Sequence, residues 1–309
     1  MRIVRKVTFL IILCLPLVMT GCGSGPRLPK IQSDTRSALS NANQEIANQH
    51  PDEALHLVLI ALRNHQLLGD LSNSVRDMNR IGYIETSIGE YPKALFWFQR
   101  AELLSAVAKD PLLMAQTKVL ASDAEISLHN TTQASILLKE VQDLLSHIPE
   151  SPRKVRLMAH FYNSRGMLRL GGKHYKSSLS SFKKALSINQ KLGLKGNAAG
   201  NWANIGNVYL AMKNPPMAKQ AFDHALAVDR KIGNPEGIAF DSEGLSLAEI
   251  QTGSWDHALQ SILAAYQIRL QQHNPVQAQK DLSLFRLALQ KHPLQVNTSL
   301  LPDWPAPTP

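Results

Sequence analysis

After residue 22 the chain contains no cysteine. Its two cysteines, Cys14 and Cys22, both lie near the N-terminus of a 309-residue sequence, so neither a disulfide framework nor a thiolate metal site can form in the rest. Aromatic residues are scarce as well, at 6%. Alanine and leucine dominate the 44% apolar content, a balance that favours packed helices over sheets, which draw on β-branched and aromatic side chains. Beyond the N-terminus no stretch stays apolar and uncharged for the roughly 18 residues a membrane span needs. Catalytic signatures are missing too: there is no His-Glu-x-x-His, no phosphate loop and no Gly-x-Ser-x-Gly. Gly171-Gly172-Lys173 reads as a turn between helices, and the eleven histidines show no ligand spacing on a helix face. No catalytic residue, metal or cofactor is therefore expected, and the chain reads as a binding protein and not an enzyme.

Charge of one sign is missing locally. Residues 151–200 hold eleven Lys/Arg and no acid, whereas residues 31–150 hold nine Lys/Arg against fifteen Asp/Glu. The formal charge of +9 thus conceals an acidic first part, a basic block and a nearly neutral remainder.

The first 22 residues have the layout of an export signal. Arg2, Arg5 and Lys6 precede an apolar run from Val7 to Met19, followed by Thr20-Gly21-Cys22. The ending Met19-Thr20-Gly21-Cys22 resembles the bacterial lipobox, in which small residues let the signal peptidase close on the bond before a cysteine whose thiol carries lipid. The resemblance implies a signal peptide over residues 1–21, lipidation of Cys22 and anchoring by acyl chains, each buried CH₂ contributing ~0.8 kcal/mol. Cleavage there would remove Arg2, Arg5 and Lys6 and leave a formal charge of +6. Gly23 stands where many inner-membrane lipoproteins have aspartate, which by the same resemblance points to the periplasmic side of the outer membrane. Residues 22–30 have the composition of a tether.

The remainder is periodic. Ala54, Ala94, Ala134, Ser178, Ala218 and Ala258 recur at intervals of 40, 40, 44, 40 and 40. Bulky residues follow four later (Val58, Phe98, Leu138, Phe182, Phe222, Ile262), and Ala61, Ala101, Val141, Ala185, Ala225 and Ala265 follow at seven. Offsets of zero, four and seven mark one helix face. Twelve before each anchor stands a small residue: Ala42, Gly82, Ser122, Gly166, Gly206 or Ser246. There a second helix is expected to approach closely. Three before each anchor, Pro51, Tyr91, Thr131, Tyr175, Pro215 and Trp255 open the second helix of a hairpin. One hairpin cannot bury its own apolar face, but a stack can.

Ile81-Gly82, Gly89-Glu90-Tyr91-Pro92-Lys93-Ala94-Leu95, Phe98 and Ala101, and again Trp202, Ile205-Gly206, Tyr209, Ala218, Phe222 and Ala225, resemble the tetratricopeptide repeat. The usual period of 34 residues is lengthened here to 40, nearly one extra turn per helix. The resemblance implies an all-α fold, a right-handed superhelical α-solenoid of about six hairpins. These are centred near residues 31–68, 70–109, 111–147, 152–192, 195–232 and 235–272. A capping helix is expected over 275–291 and a flexible proline-rich tail over 293–309, giving a solenoid spanning 31–292. Asp110, Ser151, Asn214, Asn234 and Asn274 each precede a proline and should cap helices; Asn130 should cap another. The four extra residues between the third and fourth units read as a longer loop near His147–Glu150.

In repeats of this kind the first helix of each hairpin lines the concave surface. That resemblance selects Asn79, Tyr83, Arg156, His160, Asn163, Met167, Asn204 and Asn207 as the partner-binding groove. Asparagine can satisfy both the N–H and C=O groups of an extended peptide, although hydrogen bonding between helices explains the same residues equally well. Arg165, Arg169, Lys173, Lys176, Lys183 and Lys184 form a candidate basic patch around the fourth hairpin. It is read either as a solvated face or as a surface steering an anionic partner, such as an acidic protein segment, peptidoglycan or lipid headgroups. Nucleic acid is not expected, because the layout of the N-terminus implies export. The function implied is a membrane-anchored interaction scaffold or adaptor of the bacterial envelope that binds a protein or peptide. The alternative is a ligand- or peptide-sensing regulator.

Overall fold

The structure, a computed structural model, describes residues 28–48, 50–272 and 274–291. The expected signal peptide, Cys22 and the tail lie outside the described residues. Thirteen helices follow one another: α1 (Leu28–Ala47), α2 (Pro51–Leu67), α3 (Leu71–Ser87), α4 (Tyr91–Val107), α5 (Pro111–Ser127), α6 (Thr131–His147), α7 (Pro152–Gly171), α8 (Tyr175–Lys191), α9 (Lys195–Ala211), α10 (Pro215–Ile232), α11 (Pro235–Thr252), α12 (Trp255–Gln271) and α13 (Pro275–Lys291). No strand occurs among the described residues, and none of the helices is long and apolar enough to cross a membrane. The first helix begins at Leu28, inside the stretch read as tether.

Consecutive helices pack as antiparallel neighbours, giving six hairpins closed by α13. First helices also touch first helices along the stack: α3 meets α5, α5 meets α7, α7 meets α9 and α9 meets α11. Second helices show no comparable contact, so the stack bends with its first helices on the inside. This is an α-solenoid, in which each hairpin buries its apolar face on the next.

The forty-residue lattice is the core. All six anchors, Ala54, Ala94, Ala134, Ser178, Ala218 and Ala258, are fully buried, and so are Val58, Phe98, Phe182, Phe222 and Ile262. The small residues have a more specific role than close approach of backbones. A Cβ added at Gly82, Gly166 or Gly206 would run into the ring of Phe98, Phe182 or Phe222 on the second helix of the same hairpin. The glycine is a socket for that ring. Phe222 is also held from the far side by Gly244 of α11, where a Cβ would again meet the ring. At the fourth anchor, Ser178 Oγ donates to the Gly166 carbonyl at 2.8 Å, so its hydroxyl is satisfied in the core.

Helix starts follow the capping chemistry. Asp110 accepts from the Leu112 and Leu113 N–H groups, Ser151 from Lys154, Asn214 from Met217, Asn234 from Gly237 and Asn274 from Gln277. Asn130 sits before α6, but its side chain makes no capping bond, contrary to expectation. The loop expected near residue 150 is also mostly absent. Ile148–Ser151 has four residues where the other links have two or three, and the other three added residues extend α7 to 20 residues against 17 for α5. Buried Ile148 and the bond from Lys154 Nζ to its carbonyl, 2.7 Å, fix this link against the core.

A second lattice runs between hairpins. The last turns of a second helix face the first turns of the next helix twelve residues on, and the slot is filled differently each time. It holds His65 with Asp77, Asn189 with Asn201, Asp229 with Asp241 and Arg269 with Asp281. At the third junction the same positions are Leu145 and Leu157, both buried in one apolar cluster.

Candidate functional site

The inner faces of α7 and α9 meet on the concave side. Arg153, Arg156, His160 and Asn163 step along α7, and Asn197, Gly200, Asn201 and Asn204 step along α9; intervals of three and four keep each set on one helix face. Between them lies a groove of about 730 Å³, with Tyr83 of α3 and Gln116 of α5 on its far wall. This volume falls within the range of ordinary ligand sites.

Five of the eight residues assigned to the groove from sequence line this cavity: Tyr83, Arg156, His160, Asn163 and Asn204. Asn79 does not. It is buried and exchanges hydrogen bonds with Thr117, joining α3 to α5, which is the structural role weighed for it. Met167 and Asn207 lie outside the cavity wall. The polar side chains missed are Gln116, Arg153, Asn189, Asn197 and Asn201, and Gly200 was missed with them. The spacing of Asn197, Gly200, Asn201 and Asn204, which puts them on one face of α9, is the signal in the sequence that could have found them.

The asparagines form a directed relay. Asn189 Nδ2 donates to Asn201 Oδ1 at 2.7 Å, and Asn201 Nδ2 donates to Asn163 Oδ1 at 3.0 Å. Asn204 Nδ2 donates to the same Asn163 oxygen, also at 3.0 Å. With its oxygen doubly engaged, Asn163 keeps its Nδ2 as a donor, while Asn204 keeps its Oδ1 as an acceptor. The pair offers what a peptide unit requires, a partner for C=O and one for N–H.

His160 Nε2 lies 2.7 Å from Asp123 on α5. Partial burial works against a charged ring, but the Asp123 carboxylate outweighs it and raises the imidazole above its ordinary range. No Asp or Glu lines the groove, and neither Arg153 nor Arg156 takes part in an ion pair among the described residues.

The six residues of the candidate basic patch do not share one surface. Lys176, Lys183 and Lys184 border a shallow depression on α8, and Lys184 Nζ stands 5.3 Å from the Tyr162 ring. Arg165 covers Phe161 and reaches Gln142 Oε1 at 3.2 Å. Arg169 donates to the Ser177 carbonyl and to Ser181 Oγ; burial, and then Arg165, lower its pKa. Lys173 occupies a turn with positive φ. The acid-free segment therefore divides: Arg153 and Arg156 line the groove, Lys176, Lys183 and Lys184 border the depression on α8, and Lys154 is buried on the Ile148 carbonyl. Among the described residues no three His, Cys, Asp or Glu side chains gather to hold a metal ion.

Comparison with known proteins agrees with this geometry. The tetratricopeptide repeat family model matches residues 199–232, that is, the fifth hairpin without the first residues of α9. No curated protein matches the chain. Among solved structures, a signal transduction ATPase with a tetratricopeptide repeat sensor from Pyrococcus horikoshii matches 84% of this chain at 17% identity, with a TM-score of 0.61. The chain spans 44% of that protein's length. A Rap protein complexed with competence and sporulation factor matches 85% of this chain at 12% identity and a TM-score of 0.61, over 79% of its own length. BtubC from P. vanneervenii matches 81% at 15% identity and a TM-score of 0.55, over 93% of its length. The fold of this chain is that of the tetratricopeptide α-solenoids.

Proposed function

We propose that this chain is a non-catalytic interaction scaffold that holds a protein or peptide segment in the groove between α7 and α9. The observation that carries the reading is the pre-set amide pair, the Asn163 donor beside the Asn204 acceptor, held by the relay from Asn189 and Asn201. Orienting these groups before the partner arrives lowers the entropy cost of binding. The Rap structure, solved with competence and sporulation factor bound, has the same fold.

The envelope setting is proposed from sequence. Met19-Thr20-Gly21-Cys22 would place lipid on Cys22, and Gly23 favours the outer membrane facing the periplasm. The scaffold would then display its groove a short tether away from the bilayer.

Site-specific photocrosslinking tests the groove. A photoreactive residue replacing Asn204 should capture one discrete partner, while the same residue replacing Lys176 on the outer side should not. Equal capture from both positions would remove the groove from consideration. Metabolic labelling with a palmitate analogue tests the anchor: the native chain should be labelled in membranes and the Cys22→Ala variant should not. An unlabelled native chain in the soluble cytoplasm would favour the peptide-sensing regulator, the second reading to which the Rap fold gives support.

A further inference from the structure

Gly200 is a helical glycine that nothing inside the fold requires. A Cβ at Gly82, Gly166, Gly206 or Gly244 would strike a phenylalanine ring, whereas one at Gly200 would find no atom within 4 Å. Glycine within a helix costs about 1 kcal/mol relative to alanine, and here no packing gain offsets that cost. Gly200 lies on the groove wall between Asn197 and Asn204. Beside it on the same wall, Asn189 is 3% exposed and its Oδ1 has no hydrogen-bond partner. A bare helix surface next to an unanswered acceptor suits the close passage of another main chain, which supplies N–H donors and demands room.

The charge of the wall completes the description. Arg153 and Arg156, three residues apart, share one face of α7, and the groove presents no acid to answer them. Asp123 nearby is already taken up by His160. Guanidinium groups so placed suit a carboxylate, which they can grip with paired hydrogen bonds.

We propose that the groove's occupant is an acidic extended peptide segment, its main chain crossing α9 at Gly200 and a carboxylate side chain seated between Arg153 and Arg156. This rests on the groove being the binding site and adds what it selects. Asn163 Nδ2 and Asn204 Oδ1 hold the peptide unit, and the two arginines supply discrimination between an acidic segment and a neutral or basic one.

The test uses the purified chain from residue 23 onward, which carries α1–α13, in fluorescence anisotropy. The probes are a short fluorescein-labelled peptide of alternating glutamate and alanine, and its lysine/alanine counterpart. The acidic probe should bind and the basic one should not, with affinity falling as salt rises. Arg153→Ala/Arg156→Ala and, separately, Gly200→Gln should each weaken binding roughly tenfold or more, the scale of a lost charge-assisted contact. Gly200→Gln and Gly200→Ala should melt at or above the native temperature, which separates a blocked groove from a damaged fold. Lys183→Ala/Lys184→Ala should leave binding unchanged. Absence of acidic-probe binding, equal binding of both probes, or loss only in the α8 lysine variant overturns the proposal. Photocrosslinking from Asn204 keeps the two readings apart: capture of a neutral or basic segment defeats the acidic occupant but leaves the scaffold standing, and capture without groove preference defeats both.

Discussion

Asp229 on α10 and Asp241 on α11 are buried carboxyls that hydrogen-bond to each other across the junction of the fifth and sixth hairpins. Among the described residues no cation pairs with either; the polar neighbour is Asn234, whose amide donates to Asp229 Oδ1 at 3.0 Å. One Asp241 oxygen has no partner. Burial first, and then the neighbouring Asp229, push the Asp241 carboxyl up to about 8.

A pH dependence follows. The folded value lies above the ordinary 3.8, so the protonated form fits the fold. The stabilisation is fully present below about pH 4 and is lost as pH rises through about 8. Thermal melts should therefore show stability falling from pH 5 to pH 9. Asp241→Asn, which copies the amide pairing of Asn189 with Asn201 one repeat earlier, should flatten that slope and raise stability at pH 9 by ~1–3 kcal/mol. Parallel pH profiles for variant and native protein would remove the pair as the cause.

The two-sided socket around Phe222 makes the fifth hairpin sensitive to a single methyl group. Gly206→Ala should cost ~1–3 kcal/mol by overpacking, because its Cβ would lie 2.8 Å from ring carbons of a fully buried phenylalanine. Phe222→Ala should cost ~3–5 kcal/mol through the cavity it leaves. Chemical denaturation measures both. A Gly206→Ala protein as stable as the native one would show that the ring can move aside.

Arg269 joins the last hairpin to α13. It is 2% exposed, donates to Asp281 at 2.5 Å and to Glu243 at 2.9 Å, and is the largest of the fully buried side chains among the described residues. Arg269→Met would strand buried Asp281, whose carboxyl burial already raises to about 6 despite the arginine. The expected loss is ~3–5 kcal/mol, seen as faster hydrogen exchange in α11–α13. Adding Asp281→Leu should recover most of it, since a buried pair replaced by apolar groups is often neutral. Exchange rates unaltered by the single substitution would contradict the role.

His160 should titrate above its ordinary range because of Asp123, and Asp123→Asn should bring it down. The Asp123 interaction stabilises the fold below pH 6.5 and fades as pH rises through the raised value. Ring-proton chemical shifts followed against pH measure the change directly. An unchanged His160 titration in the variant would assign the shift elsewhere.

The apolar lattice was legible because burial is repetitive. Ala94, Phe98 and Ala101 recur as Ala218, Phe222 and Ala225 under one spacing, since each junction presents the same shape to its neighbour. The helix caps were legible for a similar reason: Asp110, Ser151 and Asn214 act on N–H groups within three residues of themselves. The groove was half legible. Asn163 and Asn204 stood out, but Asn189 and Asn201 did not, because Asn189 sits on a second helix and reaches the wall only across a junction.

Sequence by itself determined the helices, their pairing and the stacked core, because those depend on contacts at fixed short offsets and on a repeated hydrophobic period. Tertiary structure alone decided that three of the four extra residues lengthen α7, that Asn79 serves a helix junction, and that Arg153 and Arg156 line the groove while Lys176, Lys183 and Lys184 border α8. It also decided that one buried slot holds in turn a histidine with an acid, two amides, two carboxyls and an arginine with an acid. Apolar burial is non-directional and shows in the pattern of residue types. Polar pairing is directional, and its partners are known only once the helices are side by side.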